Sequence, residues 1–140
     1  MSKVAVVYWS GTGNTKAMAD CVVAGLEETG AVAELFSADA FNADMLEDYD
    51  AIAFGCPAMG AEELEDSEFL PMFESCSAKL KDKKIALFGS YGWGDGEWMR
   101  AWEETCQNLG AVLACDSVIC NDAPNTDAEN ACKALGKALA

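Results

Sequence analysis

Lys3–Thr15 reads KVAVVYWSGTGNT: an apolar, β-branched run, two glycines set among hydroxyls, and the first residues of a helical pattern. The run Lys3–Tyr8 predicts a short strand buried on both faces. Beyond it, Ala17, Met18, Cys21, Val22 and Leu26 fall at helical spacing over Asn14–Glu28, and Gly30 supplies the stop. Ser10–Thr15 itself looks like an anion cradle, yet no residue in it carries a charge.

The alternation continues outward from this stretch. Strands are predicted over Ala31–Phe36, Asp50–Gly55, Lys84–Gly89 and Ala111–Cys120, with a weak helical turn over Asn42–Asp48. Helices are predicted over Ser67–Ala78, Glu97–Leu109 and Asp127–Leu139; Pro71 sits close enough to a helix start to be tolerated. Five strands alternating with helices predict an α/β fold, a parallel sheet wrapped on both faces. Ligands in such sheets bind outside the carboxyl ends of the strands. There is no internal repeat or linker, so residues 1–140 are expected to form one domain.

Composition excludes several functions. The net charge of −15 opposes binding to nucleic acid or anionic membrane, both of which are recognised through Lys and Arg. It favours protein partners with basic surfaces instead. No apolar stretch reaches the ~18 residues of a membrane span, and MSKVAVVYWS lacks a signal-peptide layout. A cytoplasmic protein is expected. With no histidine, the commonest zinc ligand and the usual nucleophile–base pairs are missing. The seven cysteines contain no C-x-x-C pair and read as free thiols serving as small hydrophobes.

Three loops that follow strands share one edge of the expected sheet: Trp9–Thr15, Cys56–Asp66 and Ser90–Gly96. The first matches neither G-x-x-x-x-G-K-[ST] nor G-x-G-x-x-G, since Lys16 occupies the third glycine's place. A capped turn would use one or two of Ser10, Thr12, Asn14 and Thr15. The full set, with the N–H groups and macrodipole of the following helix, suits a phosphate. In the second loop Met59 stands between small residues, ahead of a run of carboxylates. In the third, Trp93 lies between two glycines and suits stacking on a planar ligand, whereas Trp98 and Trp102 are expected to pack. The three loops together suggest a ligand with a terminal phosphate and a flat ring, and no catalytic constellation accompanies them.

The segments VVYWSGTGNT, FGCPAMGAEELEDSEF and KKIALFGSYGWGDGEWMRAW resemble the short-chain flavodoxins, and the likeness runs from end to end of the chain. That resemblance implies a single-domain three-layer sandwich with strand order 2-1-3-4-5 and one non-covalently bound FMN. It implies a monomeric, low-potential one-electron carrier between redox enzymes, working on the semiquinone/hydroquinone couple, with reductases and ferredoxin-linked oxidoreductases as partners. By position, Ser10, Gly11, Thr12, Gly13, Asn14 and Thr15 would surround the FMN phosphate, with Ser90 near it. Ala58 would touch the ribityl chain, and Met59 and Trp93 would flank the ring. Glu62 would accept from ring N3, and Gly92 would donate to the pyrimidine oxygen. Gly60 would turn its carbonyl toward flavin N5 on one-electron reduction, a flip that visits φ > 0 cheaply only at glycine. The chain departs from its relatives at Pro57 and Ala61.

Placing the charges on the expected sheet puts Glu62, Glu63, Glu65, Asp66, Glu68, Asp95, Glu97, Asp122 and Asp127 at the cofactor edge. Lys79, Lys81, Lys83 and Lys84 fall at the opposite edge. The resulting dipole would steer basic partners and, with the uncompensated phosphate, disfavour a second electron; neutralising Glu62 and Glu65 would then raise that potential. An FMN-dependent NAD(P)H:quinone reductase is disfavoured by the chain's shortness and its scarcity of basic surface. A phospho-acceptor receiver domain is disfavoured by the hydroxyl-rich first loop. The chain is expected not to be an enzyme.

Overall fold

The computed structural model describes residues 2–60 and 62–140; Ala61, one of the two departures named above, lies outside the described residues. Among the described residues six strands and four α-helices follow in the order β1 Lys3–Tyr8, α1 Asn14–Glu28, β2 Val32–Ser37, β3 Ala51–Gly55, α2 Phe69–Cys76, β4 Lys84–Tyr91, α3 Glu97–Asn108, β5 Val112–Leu113, β6 Val118–Asn121 and α4 Thr126–Leu139, with 3-10 turns over Ala38–Ala40, Ala43–Asp48 and Ser77–Lys79. All pairings are parallel, in the order β2-β1-β3-β4-β5, with β6 also on β4. The expected α/β architecture and strand order therefore stand.

Strand side chains alternate between two cores. Ala5, Val7, Ile52, Phe54, Ile85 and Leu87 face α2 and α3, where Phe69, Phe73 and Trp102 join Phe54 in an edge-to-face cluster. Val4, Val6, Ala51, Ala53, Ala86 and Phe88 face α1 and α4. On this second face β3 offers only Ala51 and Ala53, while β4 offers Ala86 and Phe88. Trp98 and Trp102 are buried, as their helical spacing predicts.

Several element ends lie one or two residues from expectation, and three of the differences have a local reason. The predicted strand Ala111–Cys120 is broken in two. Along β4 the step from Ile85 to Phe88 spans three residues, whereas its partners Leu113 and Val118 are five apart, so the edge strand bulges outward. Strand β4 runs past Gly89, because Ser90 and Tyr91 pair with Cys120 and Asn121. Helix α2 begins two residues after the expected Ser67, because the amides of Ser67 and Glu68 are bound by the Glu65 carboxylate.

Candidate functional site

Strands β1, β3 and β4 end at one edge, and their loops are sewn together there. The Trp9 amide donates to the Gly55 carbonyl at 3.0 Å, and the Ala58 amide donates to the Ser90 carbonyl at 3.1 Å. Between the loops lies a cleft of about 220 Å³, lined by Trp9, Ser10, Gly11, Thr12, Asn14, Thr15, Pro57, Ala58, Met59, Ser90, Tyr91, Gly92 and Asp122. Most of the expected site residues are thus neighbours in space.

Gly13, Gly60, Glu62 and Trp93 are not among the lining residues. Gly13 sits behind the cleft, where its φ of +97° turns the chain into α1 and its amide donates to Ser10 Oγ at 3.0 Å. A side chain at this left-handed position would be strained. Gly60, at φ +49°, borders an adjoining hollow with Met59 and Glu63. Trp93 projects from its loop at 63% exposure, and Met59 is 37% exposed, so both offer apolar surface that the core does not use.

Glu62 is half-buried with a positive φ, and its Oε1 is buried without a hydrogen-bond partner among the described residues. The carboxylate lies against Gly94, where an added Cβ would come within 2.4 Å of it. An acceptor left unpaired in this way is what a donor on a bound ligand would satisfy.

The cradle's polar groups serve two ends. Ser10 Oγ and Thr12 Oγ1 accept from the amides of Gly13 and Asn14 at 3.0 and 3.4 Å, bracing the loop. Each hydroxyl still has its hydrogen to donate. The N-cap residue Gly13 has no side chain to cap α1, the Asn14 amide meets only Thr12 Oγ1 at 3.4 Å, and the first turn contains no acidic residue, so the helix presents its positive end to the cleft. Lys16, the nearest cation in sequence, is turned away: its ammonium meets the Asp20 carboxylate at 2.8 Å, one turn further along α1. That hydrogen bond raises the lysine's pKa. The cradle is neutral in structure as well as in sequence.

Four residues that line the cleft were placed by the sequence at this edge without being expected as cofactor contacts: Trp9, Pro57, Tyr91 and Asp122. The first three adjoin the motif residues. Asp122 follows β6, and its main-chain oxygen accepts the Ser90 hydroxyl at 2.6 Å while its amide donates to Tyr91 at 2.8 Å. The rule that ligands sit beyond strand carboxyl ends placed Asp122 at this edge as a charge, and the structure adds that it lines the cleft.

The acidic edge needs one correction. Glu65 is only 4% exposed and is not a surface charge. Its carboxylate accepts the amides of Ser67, Glu68 and Phe69 at 2.8 Å each, and the Ser67 hydroxyl. Burial pushes its pKa up, but the Ser67 hydroxyl and the three amides outweigh burial and bring it from the ordinary 4.5 to about 2. A depressed carboxylate stabilises the fold above its unfolded pKa, and that contribution is lost as pH falls through the folded value. At neutral pH it is on the order of 3 kcal/mol. Urea denaturation between pH 6 and about 2 is expected to show the parent losing more stability than Glu65→Gln; parallel curves would refute the assignment.

Elsewhere on that edge Glu63, Asp66, Glu68, Asp122 and Asp127 are exposed, while Asp95 is paired with Arg100 at 3.0 Å. At the opposite end Lys79 lies 4.0 and 3.7 Å from Asp44 and Glu47, and the Lys83 ammonium bonds the Tyr49 carbonyl. The basic pole is therefore weaker than a count of lysines implies. All seven cysteines are free, and burial pushes Cys56, Cys106 and Cys132 up to about 12, which makes them inert packing residues. Among the described residues no cluster of His, Cys, Asp and Glu could hold a metal, and no helix is long and apolar enough to cross a membrane.

Comparison with known proteins gives a consistent result. The family model described as Flavodoxin matches residues 6–135. The flavodoxin of Megasphaera elsdenii is 47% identical over 137 residues, covering 98% of both chains. That of Clostridium beijerinckii is 45% identical over 135 residues, covering 96% of this chain and 97% of its own. The solution structure of two-electron reduced Megasphaera elsdenii flavodoxin superposes with a TM-score of 0.90 at 48% identity, covering 97% of each chain.

Proposed function

This chain belongs to the flavodoxin family of FMN-bound electron transfer proteins, and from that premise we propose how its own residues hold the cofactor and serve its partners. Ser10, Gly11, Thr12, Gly13, Asn14 and Thr15 surround the FMN phosphate, with Ser90 beside them. The observation that carries this reading is the uncapped start of α1 at the cleft, next to two hydroxyls whose hydrogens are free to donate. Ala58 touches the ribityl chain through its backbone, and Met59 and Trp93 cover the two ring faces. Glu62 accepts from ring N3–H, which gives its buried oxygen a partner. Gly92 donates to the pyrimidine oxygen, and Gly60 offers its carbonyl to the ring.

Bound FMN supplies reversible one-electron chemistry. The chain's part is to hold the ring at an exposed, acidic edge and to withhold any compensating cation. Residues 1–140 act as one domain and as a cytoplasmic monomer, and the acidic edge favours redox partners with basic surfaces.

The test is reconstitution. Apoprotein mixed with FMN is expected to take up one equivalent and quench its fluorescence. The product should pass electrons to a basic one-electron acceptor protein at a rate that falls steeply with salt. FMN reduction by NADPH alone, with no reductase present, would overturn the carrier reading. A rate independent of ionic strength would overturn the steering.

A further inference from the structure

Glu65 does not line the cleft, yet it sits at the junction of two loops that do: its carboxylate fixes the turn over residues 67–69, and its backbone amide reaches the loop that begins at Cys56. Its own amide donates to Cys56 Sγ at 3.4 Å and closes the base of the loop that carries Met59, Gly60 and Glu62. Within that loop Met59 and Glu63 exchange two backbone hydrogen bonds, at 2.8 and 2.9 Å. Cys56 is pinned from the far side as well: its carbonyl accepts the Trp98 indole N–H at 3.1 Å, and its amide donates to Phe88 at 3.1 Å. In the other direction, the turn fixed by Glu65 carries Glu68, whose Oε1 accepts the indole N–H of Trp9 at 3.1 Å. Trp9 opens the phosphate-side loop and forms a wall of the cleft.

We propose that Glu65 is a positioning residue for the cofactor, setting the ring-side loop through Cys56 and the phosphate-side loop through Glu68 and Trp9. This rests on reading the cleft as the FMN site. The chemistry calls for a carboxylate: three amides and a hydroxyl converge on two oxygens, and only an ionised acid is acceptor throughout. Glutamine would turn an NH₂ group toward those donors and leave at least one unpaired in a buried place. Asp66, next in the chain and exposed, carries the same charge without such converging donors among the described residues.

The experiment compares the parent protein with Glu65→Gln, Asp66→Asn and Ser67→Ala. It measures the FMN dissociation constant, both reduction potentials, and hydrogen exchange of the Ser67, Glu68 and Phe69 amides in the apoprotein. Glu65→Gln is expected to keep its far-UV circular dichroism, to bind FMN at least tenfold more weakly, to shift a potential and to speed exchange at the three amides. Asp66→Asn should stay within twofold of the parent in affinity and exchange. Ser67→Ala, which removes one donor, should follow Glu65→Gln to a lesser degree. A Glu65→Gln protein that melts earlier while its affinity and potentials match the parent would overturn the proposal, as would an Asp66→Asn protein equal to it. If Glu65→Gln fails to fold, Ser67→Ala decides, and parental affinity there is a refutation. A parent that binds no FMN would instead sink the reading of the cleft.

Discussion

Gly25→Ala in α1 is expected to lower the melting temperature by about 10 °C, corresponding to a loss of roughly 3 kcal/mol. A Cβ at this position would lie 2.1 Å from the Lys133 carbonyl oxygen and 2.7 Å from its Cα. These neighbours are backbone of α4, so no rotamer change relieves the clash and the helices must part. Gly136 meets α1 in the same way, with an added Cβ 2.4 Å from the Val22 oxygen. Separating the pair opens space around Val22, Leu26, Cys132 and Leu135, all buried on this face. Gly136→Ala should cost a similar amount, and the double variant less than the sum, because one separation accommodates both methyls. Thermal and urea denaturation of the three variants checks this. A melting temperature within about 2 °C of the parent would mean that the seam is looser than described. The consequence reaches the site, since α1 carries the cradle at its first turn.

Glu62→Gln is expected to raise the potential of the second one-electron step by roughly 90 mV. Two unit charges ~8 Å apart at an effective dielectric of ~20 interact by about 2 kcal/mol, which at 59 mV per tenfold is of that size. An exposed carboxylate ~10 Å away in water contributes roughly 0.4 kcal/mol, under about 20 mV. Burial decides between them. Glu62 has a carboxylate oxygen buried without a partner, whereas Glu63 and Asp66 are open to solvent. The sequence reading grouped Glu62 with Glu65, but Glu65 is committed to the start of α2 and acts through position. Potentiometry on Glu62→Gln, with Glu63→Gln as control, distinguishes them. Equal shifts in both variants would show that rim charge in general, and not the buried oxygen, sets the potential.

How far the sequence could be read depended on whether the information was local. β-Branched runs bounded by glycine located β1, β3 and β4, because their burial on both faces leaves an uninterrupted apolar run. Asn14–Glu28 was legible to the residue, since a glycine stands at each end of it. The break between β5 and β6 was not legible, because a two-residue excess over β4 is a matter of register between strands. In the site, the hydroxyl-rich loop declared itself through composition. Asp122 was legible only as a charge at the cofactor edge: its place in the cleft wall comes from hydrogen bonds to Ser90 and Tyr91, which lie far away in sequence. Glu65 looked like one more acid in an acidic run, and only the convergence of amides distinguishes it from Glu63 and Asp66. The motif does not say where Lys16 points, because a lysine beside an anion cradle can turn either way. Asp20, at i+4, settles its direction.

In the proposed site an uncharged cradle holds the phosphate. The most direct measurement is a titration of apoprotein with FMN and with riboflavin, which lacks the phosphate, in the parent and in Lys16→Gln. Charge-assisted hydrogen bonds contribute ~1.5–3 kcal/mol each, so FMN is expected to bind roughly 100-fold or more tightly than riboflavin. That ratio should be unchanged in Lys16→Gln. A ratio that collapses when the lysine loses its charge would mean that a cation holds the phosphate after all.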